Sequence, residues 1–214
     1  MKLREQWNTR AWPRVLLAFA VNAVFLTVML KAFAPMWETN DDLFISKFFD
    51  GQMAHKTAYA PFINICLGFL MKTVYTALGD SFNWYSAAQY LLLYLGFTAV
   101  TWVLLRRYRL GPSLVMTAVL LFAFGTDCCL SMNFSKPAAV GTVGGMCLML
   151  QALRNHTGKT QKTPLLLLAG LLMFAFAALG PATGNLDLNF LITMFGEVFL
   201  VLFFLLYARR KAAS

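Results

Sequence analysis

Glu38, Asp41 and Asp42 place three carboxylates within five positions of a chain that carries 9 acidic residues in all. Carboxylates so close together can take a proton from a hydroxyl, or share a metal ion and so activate that hydroxyl. Ionised groups are costly to hold in a bilayer, so an acidic knot at the mouth of an apolar run is either a solvated cap or a site. His55, the histidine nearest in sequence, could join Asp41 and Asp42 around a divalent metal ion or pair with a phosphate. Plainer readings stand beside these. The Asp pair could mark a helix boundary or cap a helix starting at Leu43, and His55 could be a solvated loop residue.

The elements that must position these groups are written in the composition. The chain has 214 residues, is 59% hydrophobic and only 13% charged, and has a mean hydropathy of +0.64. Soluble domains carry about 25% charged residues, and apolar runs long enough to cross a bilayer recur here from end to end. The fold class expected is all-α, a polytopic transmembrane helical bundle in a single domain, residing in the lipid bilayer of the cell membrane. No Gly-rich phosphate loop occurs at nucleotide-binding spacing. The net charge of +9 does not indicate nucleic acid, because the basic residues fall in short blocks between apolar runs, as in cytoplasmic loops.

In chain order, a basic tail at 1–14 precedes a span at 15–34. Ala32-Phe33-Ala34 would fit signal-peptide cleavage, but the length of the run and Lys31 at its end favour retention. Residues 35–84 form a long polar connection holding an apolar helix at 61–78, on which Asn64, Gly68, Lys72 and Thr76 make one polar stripe. Further spans are expected at 85–105, 111–130, 137–153, 164–179 and 188–207, with a basic tail at 208–214. If 61–78 crosses, there are seven spans and the later basic blocks oppose the basic N-terminus. If it lies in the membrane surface, there are six, and both termini share the cytoplasmic side with most of the 18 basic residues. Six is the preferred arrangement, with 35–84 as an external loop.

Gly141 and Gly145, with Gly144, allow a close helix approach, and Gly180-Pro181 with Gly184 makes an outer turn. Cys66, Cys128, Cys129 and Cys147 have no metal-type spacing and read as free thiols. Glu197, well inside the last span, is a functional candidate of the kind a transporter would use.

This order of elements is a basic tail, one span, an acidic pair at its outer mouth and a long loop with an apolar helix opening near a proline. It resembles the N-terminal half of the GT-C class of integral membrane glycosyltransferases, which take sugar from a polyprenyl-phosphate carrier. Asp41 or Asp42 would match the acidic residue of that class at the end of the first span. Ala58-Tyr59-Ala60-Pro61-Phe62-Ile63 sits where the class often has a basic residue and Pro-Pro-Leu, with the basic residue displaced to Lys56 and the second proline missing. Pro164 to Gly184 resembles its fifth-span region.

The resemblance implies sugar transfer from a polyprenyl-phosphate-linked donor to an extracytoplasmic acceptor by a half or truncated enzyme. Asp42 or Asp41 would be the base or a metal ligand, Glu38 a support, and Lys56, Lys72 and Lys136 would stabilise the departing phosphate. Each lysine also suits an interfacial anchor. The alternative is a non-catalytic multi-pass membrane protein, either packed against another membrane protein such as a larger transferase, or a small lipid or solute carrier.

Overall fold

The structure, a computed structural model, describes residues 12–37, 40–53, 55–61, 63, 65–156 and 168–172. Its elements in order are α1 (Trp12–Ala32), β1 (Met36–Trp37), α2 (Asn40–Asp50), α3 (Ile65–Leu78), α4 (Trp84–Arg107), α5 (Leu110–Leu120), a π-helical segment (Leu121–Gly125), α6 (Thr126–Leu130), β2 (Ser131–Met132) and α7 (Ser135–His156). Residues 168–172 are also helical. The described part is therefore mostly helical. Three of its helices are long and apolar enough to cross a membrane: Trp12–Ala32, Trp84–Arg107 and the run Leu110–Leu130. The spans expected at 164–179 (apart from 168–172) and 188–207, with Glu197 and the Gly180-Pro181 turn, lie outside the described residues.

α4 is the spine, because it carries small and apolar residues on several faces and is wrapped by neighbours. α1 runs antiparallel to it: Asn22 donates through Nδ2 to Thr101 Oγ1 at 3.1 Å, and Ala18 packs with Ala99, Trp102 and Leu105. α5 and α6 also run antiparallel to α4. Ser113 Oγ donates to Leu104 O (3.0 Å), Leu121 packs with Leu93 and Phe97, and Tyr90 donates through its hydroxyl to Cys129 O (3.1 Å). α7 runs parallel to α4, and the two approach closely because Gly96 has no side chain. A Cβ added there would stand 2.7 Å from Val140 O. The Gly141 to Gly145 stretch serves the next contact, where a Cβ on Gly170 would stand 2.8 Å from Gly145 O.

The run expected as one span at 111–130 is interrupted in its hydrogen bonding. At Thr126 the backbone N–H reaches back to Leu121 O, a five-residue step in place of the usual four. Cys128, Cys129 and Cys147 are free thiols.

One end of the bundle is basic. There Arg14 approaches Arg106, whose guanidinium lies 5.5 Å from the centre of the Trp102 ring. The described residues between 33 and 83 belong to the other end, which the chain leaves after α1 and rejoins at α4. Trp37, just past α1, stacks on Tyr85 at the start of α4 with ring centres 6.0 Å apart. β1 pairs in parallel with β2, Met36 opposite Ser131 and Trp37 opposite Met132.

Two expectations for this segment are corrected. The stretch 35–60, read as a polar loop, contains α2, whose buried residues Asp42, Ile45, Ser46 and Phe49 recur at helical spacing. Fully buried Phe49 alone contributes about 1.5–3 kcal/mol of apolar burial. The polar stripe expected on 61–78 is also divided. Lys72 and Thr76 are exposed, but Gly68 is buried against the backbone of Ala58, where no Cβ would fit. Its missing side chain serves packing, not hydration.

α2 and α3 each end on a glycine in the left-handed region, Gly51 at φ 85° and Gly79 at φ 83°, which lets the chain turn sharply at both places. Lys56 then ties the connection to α3, donating to Tyr75 O at 3.1 Å and pairing with Asp80 at 2.6 Å. Ile45, Phe49, Ile63, Met71, Tyr75 and Tyr85 form the core under this end.

Candidate functional site

The two neighbouring aspartates are turned in different directions by the helix that carries them. Asp42 falls on the inward stripe of α2 and is 0% exposed, whereas Asp41 is exposed in the same first turn. Asp42 Oδ1 accepts hydrogen bonds from the Tyr85 hydroxyl at 2.9 Å and from Gln89 Nε2 at 3.1 Å. Its Oδ2 accepts from the backbone N–H of Phe134 at 3.3 Å. One carboxylate thus ties α2 to α4 and to the approach to α7. All three of these donors are uncharged.

Burial pushes the Asp42 carboxyl above its ordinary value, because the ionised form loses water. The hydrogen bonds from Gln89, Tyr85 and Phe134 pull it down, and the negative charge of Asp41 pushes it up again; the net direction is upward. Gln89 is itself buried, and its Oε1 has no hydrogen-bond partner. A small apolar cavity of about 30 Å³ lies beside it, lined by Met71, Tyr85, Phe134 and Pro137 among others.

On the other side of the same turn of α4 a larger cleft of about 560 Å³ opens, lined by Leu30, Pro35, Met36, Trp37, Leu43, Ser86, Tyr90 and Met132. It is apolar towards α1, carries the Trp37 ring on β1, and takes the hydroxyl-bearing side chains of Ser86 and Tyr90 from α4. Leu43, on its wall, belongs to the same first turn of α2 as Asp41, which is itself exposed.

The other sequence-derived candidates are dispersed. Lys56 is engaged by Asp80, and Lys136 pairs with Asp127 at 2.9 Å and donates to Ser131 O at 2.8 Å. Lys72 and His55 are exposed, and Glu38 lies outside the described residues. Among the described residues no group of three His, Cys, Asp or Glu side chains could hold a metal ion. The proposed metal ligands Asp41, Asp42 and His55 do not fit one: Asp42 is committed inward, and the other two are separately exposed.

Gln89 and the Phe134 amide carry no sequence motif that marks them, and Tyr85 reads from sequence as an interfacial aromatic with nothing to link it to Asp42. The signal that points to them is the spacing Asp42, Ile45, Ser46, Phe49, which puts a carboxylate on a buried face and so demands donors opposite it.

Comparison of the chain with protein-family models, with curated proteins and with solved structures found no match.

Proposed function

We propose that this chain is a multi-pass membrane protein of the cell membrane, and that it works at the end carrying residues 33–83. The reading is a GT-C-like glycosyltransferase that passes sugar from a polyprenyl-phosphate donor to an extracytoplasmic acceptor, with Asp41 as the base. The observation that carries the choice of base is the different burial of the two acids. Asp42 is buried and committed to three donors, while Asp41 is exposed in the same turn of α2. A general base must reach the hydroxyl that it deprotonates, and of the two only Asp41 has that access.

Six crossings with cytoplasmic termini fit this reading. The chain leaves and rejoins the bundle at one end between α1 and α4, and the arginines of α1 and α4 gather at the other. Helix α3, with 14 residues, reaches about 21 Å at 1.5 Å per residue, short of the bilayer core.

The deciding experiment is sugar transfer in membranes supplied with donor lipid. Asp41→Asn abolishes transfer at unchanged expression, whereas Asp42→Asn lowers the amount of folded protein first. Normal transfer by Asp41→Asn removes the catalytic reading. The topology is checked with Ser81→Cys in a background without native cysteines: an impermeant thiol reagent applied outside labels it, and labelling only after permeabilisation refutes six crossings.

A second reading, a non-catalytic subunit beside another membrane protein, is favoured by one observation. Lys56 and Lys136, the cations wanted for a phosphate, are engaged by Asp80 and Asp127. Co-purification of a larger transferase, with transfer insensitive to Asp41→Asn, supports it.

A further inference from the structure

We propose that Tyr85 and Gln89 are positioning residues, which act through Asp42 to hold the first turn of α2 and so fix where exposed Asp41 stands. The proposal rests on the reading of Asp41 as the working acid. It goes further by naming the residues that set where that acid stands.

The geometry of α4 carries the inference. In its first two turns two pairs of residues at four-residue spacing look in different directions. Tyr85 and Gln89 grip Asp42, while Ser86 and Tyr90 line the cleft. α2 divides its first turn in the same way, with Asp42 inward and Leu43 on the cleft wall. The knot and the cleft therefore share one wall, and a shift in the knot moves that wall. α2 has only 11 residues, and so short a helix is not stable by itself. Asp42 is the buried side chain in its first turn, so the place of Asp41 depends on the bonds that Asp42 accepts.

Both donors are suited to the task. Tyr85 is fixed on several sides: its ring stacks on Trp37, packs against Phe49, and its N–H donates to the Tyr75 hydroxyl at 3.2 Å. Gln89 is 7% exposed, gives Nε2 to Asp42, and leaves Oε1 with no partner. An apolar residue of similar shape would pack beside the neighbouring cavity without an orphaned acceptor. What the glutamine adds is its bond to Asp42 and a hydrogen-bond contact with Tyr85, the other donor to that carboxylate.

The test is residue-resolved labelling of the full chain in membranes with a water-soluble carbodiimide, read by mass spectrometry. Asp80 and Asp127, whose side chains are 47% and 62% exposed, serve as references at the same end. In the wild type Asp41 reacts, and Asp42 reacts at least about tenfold more slowly. In Gln89→Leu, and in the milder Tyr85→Phe, which removes one oxygen, Asp42 labelling rises at least about fivefold. The Asp41 rate shifts with it, while Asp80 and Asp127 stay as they were.

Three results overturn the proposal. They are equal labelling of Asp41 and Asp42 in the wild type, an unchanged Asp41 rate in both variants, and a common rise at all four aspartates, which would mean that Tyr85 and Gln89 simply hold the fold together. The labelling needs no sugar donor. Its failure is therefore distinct from failure of the transfer assay with Asp41→Asn, which removes the base and leaves the positioning contact untouched.

Discussion

Replacing Asp42 with alanine removes the acceptor of three buried donors at once: the Tyr85 hydroxyl, Gln89 Nε2 and the Phe134 amide. Each donor left without a partner costs about 1–3 kcal/mol, and the buried negative charge that disappears with Asp42 offsets part of the sum. A net loss of about 3–5 kcal/mol is expected for Asp42→Ala, against about 0.5 kcal/mol or less for Asp41→Ala on the exposed side of the same turn. For a chain of this size each kcal/mol shifts a thermal midpoint by roughly 2–4 °C, so the two variants should differ by about 10 °C. Melting of detergent-solubilised protein, followed by size-exclusion profile, reads the difference. A double-mutant cycle with Tyr85→Phe sharpens it: once Asp42 is gone, the hydroxyl loses its partner, and a coupling of about 0.5–3 kcal/mol should appear. If the two alanine variants melt within 2 °C of each other, the knot does not hold α2, and the distinction between the acids fails with it.

Because burial raises the Asp42 carboxyl above its ordinary value of 3.8, its folded form binds a proton more readily than its unfolded form. The stability margin of wild type over Asp42→Asn is therefore greatest below that ordinary value and shrinks as pH rises through the folded one; melts of the pair across the acid range check the slope, and a margin that grows with pH contradicts it. Gly96→Ala brings a Cβ to 2.7 Å from Val140 O and should destabilise by about 1–3 kcal/mol, whereas Gly111→Ala, with nothing within 4 Å, should be neutral or slightly stabilising in the same melts. Lys56→Met and Asp80→Asn should each lower stability by at most about 1 kcal/mol and lose that effect in high salt, because the pair is partly exposed at 28% and 47%; a much larger loss in Lys56→Met alone assigns the lysine a further role.

Much of the architecture could be anticipated from local pattern. The ends of α1 and α4 follow from the apolar runs and from Arg106-Arg107, and the turn at Gly51 from an Asp-Gly step. α2 was hidden because Asn40-Asp41-Asp42 and Lys47 make it look polar, yet Ile45 and Phe49 are its inner face. The pairing of Met36-Trp37 with Ser131-Met132 could not be read, since two residues carry no strand signal and the partners are nearly a hundred positions apart. At the site, the acidic knot is visible in the sequence as a cluster, but nothing local distinguishes Asp41 from Asp42. Lys56 and Lys136 suit a phosphate by sequence because they are basic and near the correct end. Their engagement by Asp80 and Asp127 depends on loops whose paths no local rule describes.

Hydropathy, charge and turn-forming residues are properties of short stretches, so the sequence alone determined that this chain is helical and apolar, with a basic end and an acidic knot. Which acid faces inward is a different kind of fact. It depends on what stands opposite when α2 folds onto α4. There a tyrosine hydroxyl and a glutamine amide, 43 and 47 positions away, can satisfy one carboxylate and not its neighbour. Adjacent residues on a helix point about 100° apart, and only the packed partner decides which direction is the interior.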